Sequence, residues 1–211
     1  MICFRMFGVR IQINFLFVAM VTVFLLTDRT GISVIALLAC FIHELGHLIA
    51  FFLVGYTPKA LIFELMGIRL VKPEQELSPG KEAVVQLAGS MVNFLMFFLL
   101  AGTLKQVSYW SLFAATHLLM GIFQLMPLKS LDGGKLLELL CVRLWGERAA
   151  DMICTTADFA ATVCMMIMAA VMVLTGSRSL TLAIFSGGLF ISLIAKFAGH
   201  RGRMTGEKVR Q

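Results

Sequence analysis

Long apolar runs alternate with short, mostly basic connections along this chain, and the run lengths set the first expectation. A helix needs roughly 17 to 25 apolar residues to cross about 30 Å of hydrocarbon. Runs approaching that length fall at residues 12–27, 31–55, 83–102, 109–126, 153–174 and 180–198. They predict an all-α polytopic membrane protein of about six transmembrane helices, forming one integral membrane domain over residues 1–211. The core motifs lie at about 31–145 and the helices at about 153–198 are additions to them. The first run is short and follows Arg5 and Arg10, as the apolar part of a signal peptide would. The "TDRTG" behind it offers no small-residue cleavage site, so an uncleaved anchor is expected.

Two connections depart from this pattern. Between the second and third runs, "ALIFELMGIRLV" (residues 60–71) clusters β-branched and large apolar residues around Gly67, with Pro58 and Pro73 on either side. A short membrane-associated β-hairpin fits better than a helix. Its exposed edge could accept an extended peptide by strand addition, or the hairpin could only pack on its own helices. At the exit of the fourth run, Pro127 removes a helical hydrogen bond, and Gly133 with Gly134 allow backbone shapes that other residues avoid. The helix should break between about 127 and 134 and resume near Lys135. Irregular backbone at membrane depth is tolerated where protein or a wet cavity receives its polar groups, so the break marks a cavity.

Composition strengthens the membrane reading. With 59% hydrophobic and 14% charged residues and a mean hydropathy of +0.91, the chain is too apolar for an ordinary soluble domain. Its net charge of +6 is spread over the connections rather than gathered on one face, which argues against a nucleic-acid partner. Distributed over alternate sides of six spans, the 18 Lys and Arg residues place only Arg29, Lys105 and Arg178 on one side. The positive-inside rule then puts both termini in the cytoplasm. The five cysteines show no CxxC spacing and mostly fall within apolar runs, giving neither a disulfide framework nor a thiolate metal cluster.

The candidate chemistry lies in "HELGH", inside the second apolar run. Histidines at i and i+4 project from one helix face about 6 Å apart along the axis, so His43 and His47 could bind one zinc ion. In an HExxH arrangement the glutamate is not a ligand; Glu44 would act as general base towards the water that the metal activates. The motif alone is a modest signal. Its place in the membrane strengthens it, because desolvated ionisable side chains there are costly and mark functional sites. The bland reading is three residues that hydrogen-bond to neighbouring helices. Catalytic zinc usually keeps three protein ligands, and the candidates for the third are His117, Asp132, Asp158 and Glu64. Asp132 is favoured by the helix break around it and by the glycines that follow. His117 is a chemical rival, whereas Asp158 and Glu64 are expected to face water or a basic neighbour. A rival function is a non-enzymatic divalent-metal-binding membrane protein or transporter with the same ligands, although the outer halves of the spans offer almost no polar path.

HELGH, "AGSMVN" (Ala88 to Asn93) and "QLMPLKSLDGG" (Gln124 to Gly134) together resemble the site-2 protease family of intramembrane zinc metalloproteases. The motif order, the short first run and the hairpin resemble most the sporulation factor IV B subtype, which processes a membrane-associated sigma-factor precursor. The resemblance implies that His43, His47 and Asp132 bind Zn2+, that Glu44 is the general base, and that Asn93, Gln124 and the hairpin hold an extended substrate backbone. It implies a membrane-associated protein substrate, a bacterial cell membrane as the site of action, and room for an inhibitory membrane partner. Ser90 stands where the family's motif has proline, and Gln124 where it has asparagine. The chain ends soon after the sixth run, so regulation by ATP through a CBS domain is not expected.

Overall fold

The computed structural model describes residues 2–6, 8–28, 30–64, 67–71, 77–102 and 108–174. The apolar runs become helices close to the predicted bounds: α1 Phe15–Thr27, α2 Ile32–Leu53, α3 Pro79–Leu100 and α4 Tyr109–Gln124. The fifth run forms part of a longer element, α5 Asp132–Leu174, which is interrupted at Gly146, where φ is 81° and ψ is 171°. Among the described residues, α2, α3 and residues 132–168 of α5 are long and apolar enough to cross a membrane, whereas α1 has only 13 residues. The sixth run, 180–198, lies outside the described residues.

The expected hairpin is present as β3 Ala60–Glu64 paired antiparallel with β4 Gly67–Val71. It is only half of the sheet. An N-terminal pair, β1 Ile2–Met6 and β2 Val9–Ile13, adds two strands, and the spatial order is β1-β2-β3-β4. Residues 12 and 13, expected in the first span, therefore belong to a strand, and α1 starts only after Asn14. The local signal is the alternation Val9, Arg10, Ile11, Gln12, Ile13 behind Gly8 (φ 81°), which a strand period satisfies and a helix does not. β2 and β3 pair in parallel, Arg10 with Ala60 through Ile13 with Phe63. Parallel neighbours require a crossover, and here α1 and α2 together supply it. Phe17 in the first turn of α1 packs edge-on against Phe63 at 5.2 Å, tying helix to sheet.

The chain forms two compact units, which meet in sequence at Pro127. In the first, α2 packs on α3 and α4, and α3 packs on α4. Polarity is inverted relative to a soluble bundle. Leu53 and Phe98 are 81% and 71% exposed, while His43, Ser90, Asn93 and His117 are fully buried. Outward apolar side chains suit a hydrocarbon solvent, in which polar groups must find their partners inside the protein. An apolar cluster of Ala50, Phe51 and Val85, with Tyr56, Leu70 and Leu77 against it, closes the same bundle next to the β3–β4 hairpin.

Candidate metal centre

His43 and His47 sit one turn apart on the face of α2 that contacts α3. The helices can approach closely because Gly89 of α3 lies directly over the two rings. A Cβ there would stand 2.5 Å from His47 Nε2 and 2.6 Å from His43 Cε1, so no other residue leaves the rings in place. The imidazoles meet edge to face, with centroids 4.7 Å apart and Nε2 atoms 3.1 Å apart. Nitrogen ligands about 2.0 to 2.1 Å from a tetrahedral zinc lie roughly 3.3 Å apart, so the pair is spaced for one shared ion.

The outer nitrogens show how each ring is held. His47 Nδ1 lies 2.7 Å from the carbonyl oxygen of Val85 in α3. A carbonyl can only accept, so Nδ1 carries the proton and donates, which leaves a lone pair on Nε2 of the neutral ring. This is the usual way a protein fixes the tautomer and orientation of a ligating histidine. His43 Nδ1 faces the Asn93 amide at 3.0 Å, and the other end of that amide lies 2.9 Å from His117 Nδ1. His117 packs edge-on against Phe113, at 4.6 Å. Glu44 follows His43 on α2 and is half-buried.

In the second unit, α5 begins at Asp132, which is buried and whose Oδ1 accepts from Lys135 Nζ at 3.0 Å. The predicted break is present: α4 ends at Gln124, residues 125–131 turn, and α5 starts three residues before Lys135. Gly134 is required here because a Cβ would run into the carbonyl of Leu128. The loop is pinned from further along the chain. The Lys129 backbone N–H donates to Asp158 at 3.0 Å, and Lys129 Nζ bonds Asp151 and Thr155 at 2.9 and 2.8 Å. Asp158, a candidate third ligand, is thus used to hold the loop that leads into α5.

Each of His43, His47 and Asp132 is buried and offers one atom of a kind that ligates metal, the two imidazoles from the first unit and the carboxylate from the second. Two imidazoles and a carboxylate are a donor set suited to a catalytic divalent ion. Of the other candidates, Glu64 closes β3 and His117 is joined to Asn93. Gln124 is the half-buried last residue of α4. Sequence reasoning did not single out Gly89, the Val85 carbonyl or the pairing of Asn93 with His117. Only Gly89 left a local trace, the small triplet Ala88-Gly89-Ser90 within an apolar helix, a composition that lets membrane helices approach.

Fold and site together define an integral membrane protein with a buried pair of histidines spaced for one metal ion. No protein-family model matches the chain, and no curated protein matches it in sequence. Among solved structures it is similar to the site-2 protease from Methanocaldococcus jannaschii, with a TM-score of 0.64 and 17% identity, over 92% of this chain and 94% of that one. At that identity the likeness establishes the fold.

Proposed function

We propose that the chain is an intramembrane zinc metalloendopeptidase that hydrolyses a peptide bond of a membrane-associated protein, within or near the cytoplasmic half of the bilayer. The observation that carries this reading is the 3.1 Å approach of the His43 and His47 Nε2 atoms on α2. His43, His47 and Asp132 would hold the ion. Bound zinc supplies Lewis acidity, polarising a carbonyl and bringing the pKa of water near 7. His47 contributes a ring locked by the Val85 carbonyl, so its lone pair is presented without rotational searching. Glu44, one residue from His43, takes the proton from the attacking water and returns it to the leaving amine. Gln124 and the β3–β4 hairpin are assigned to the extended substrate backbone by the motif resemblance, which also carries the sporulation-type subtype and a sigma-factor precursor as the substrate class. The charge asymmetry of the connections carries cytoplasmic termini for a six-span protein in a bacterial membrane.

The test is co-expression with candidate membrane-tethered substrates, a sigma-factor precursor among them, comparing wild type with Glu44→Gln. Cleavage should disappear in the variant while zinc content is retained. The same cleavage pattern from both proteins would end the protease reading.

A further inference from the structure

The strand register sets Arg5 of β1 directly opposite Arg10 of β2. Directly opposed residues of an antiparallel pair share a face, with Cβ atoms about 5 Å apart, and like charges so placed weaken the pairing. Both side chains are exposed, and neither has an ion-pair or hydrogen-bond partner among the described residues. The next position across the sheet is Ala60 of β3, which brings no charge. Glu64, the one acidic residue in the four strands, lies four residues beyond Ala60, about 13 Å along β3. The two cations are therefore left facing each other.

The opposite face of β1 is apolar. It carries Ile2 and Phe4, 62% and 45% exposed, opposed by Ile13 and Ile11 of β2. Further along the sheet the same face is covered: Phe63 of β3 meets Phe17 of α1, and Leu70 of β4 joins the cluster of Ala50, Phe51 and Val85. At β1 it is open. Bare apolar side chains on one face and unpaired arginines on the other suit the boundary between acyl chains and headgroups, where amphipathic helices lie for the same reason. A guanidinium binds phosphate oxygens through a planar fork, and one anion shared by two opposed cations replaces their repulsion with a common attraction.

We propose that Arg5 and Arg10 clamp the phosphate of an anionic phospholipid and so fix the β1–β2 end of the sheet at the membrane interface, with Ile2 and Phe4 turned towards the acyl chains. The occupant is a lipid rather than a free anion because the open apolar face behind the pair calls for hydrocarbon, and only a lipid supplies that together with the charge. The site stands without the metal centre and requires only that the chain be embedded in a membrane.

The test is amide hydrogen exchange of β1 and β2, read by mass spectrometry on full-length protein in a non-ionic detergent. The probes are dioctanoyl phosphatidylglycerol, dioctanoyl phosphatidylcholine, inorganic phosphate and a short polyglutamate peptide. Phosphatidylglycerol should slow exchange in both strands, with an affinity at least about tenfold above that of phosphatidylcholine. Arg5→Gln and Arg10→Gln should each lower that affinity about 10- to 100-fold, the loss of a charge-assisted contact. Because one phosphate is shared, the double variant should be little worse than either single one. Arginines acting independently would instead cost about fivefold each and about 25-fold together. Arg143→Gln, at an exposed position on α5, should change nothing. Without lipid, Arg5→Gln should itself slow exchange by removing the opposed charge, a sign that also shows β1 still paired in the variant. Independent losses in the double variant, faster exchange in lipid-free Arg5→Gln, or equal protection by phosphatidylcholine, inorganic phosphate or the peptide would each overturn the proposal.

Discussion

Replacing Gly89 by alanine places a methyl group 2.5 Å from His47 Nε2, 2.6 Å from His43 Cε1 and 2.8 Å from His43 Nε2. Ordinary carbon–nitrogen contact begins about 1 Å further out, so one or both rings must move by that order. Neither is free to do so without loss. His47 is tied to the Val85 carbonyl at 2.7 Å and His43 to Asn93 at 3.0 Å. If the rings stay, overpacking costs about 1 to 3 kcal/mol. If they move, the shift exceeds the tolerance of about 0.2 Å that metal–ligand distances allow. The first route lowers stability, and the second weakens metal binding by at least the roughly 10- to 100-fold typical of outer-partner changes. Zinc content by elemental analysis and affinity by chelator competition measure the effect on purified full-length protein. Gly80→Ala, at a position with open space around it on the same helix, is the control and should bind zinc as wild type does. Full occupancy and wild-type affinity in Gly89→Ala would refute the packing geometry on which the site description depends.

Three further outcomes are expected. Asp132→Asn keeps the shape of the side chain but removes its charge, so zinc occupancy after dialysis should fall steeply while the helical circular dichroism signal is unchanged. Ser108 and Ser111 satisfy each other's backbone N–H groups at the start of α4; Ser108→Ala should destabilise the protein by about 1 kcal/mol in reversible denaturation. Asp28, between α1 and α2, is held far below the ordinary carboxylate range by hydrogen bonds from the Thr30 side chain, then from the backbone of Ser33 and Thr30. Its folded pKa is depressed, so its contribution is present above the unfolded value of about 3.9 and is lost as pH falls towards the folded one. The difference in melting temperature between wild type and Asp28→Asn should accordingly narrow from about pH 5 downward, and a constant difference would contradict that bonding.

Much of the fold was legible because it is written locally. The second apolar run, expected at 31–55, is helix Ile32–Leu53, and the hairpin around Gly67 occupies residues 60–71 as anticipated. The break after Pro127 ends with α5 starting at Asp132. The N-terminal strands were missed because their five-residue alternations adjoin an apolar run that absorbed residues 12 and 13 into the first span. The extent of α5 was missed because its first half is amphipathic and carries Glu138, Arg143, Glu147 and Arg148, too polar to register as a span.

By itself, the sequence determined the membrane class, the helices and the placing of His43 and His47 on one face, since a four-residue interval in a helix has one geometric outcome whatever surrounds it. The tertiary structure alone decided what those residues became. The Val85 carbonyl is 38 residues from His47 and Asn93 is 50 residues from His43, separations that no local period encodes. The hold of the Val85 carbonyl on His47 and the clearance over the rings at Gly89 follow from contacts between distant segments, because in a low-dielectric interior each buried polar atom takes its state from the partner packed against it.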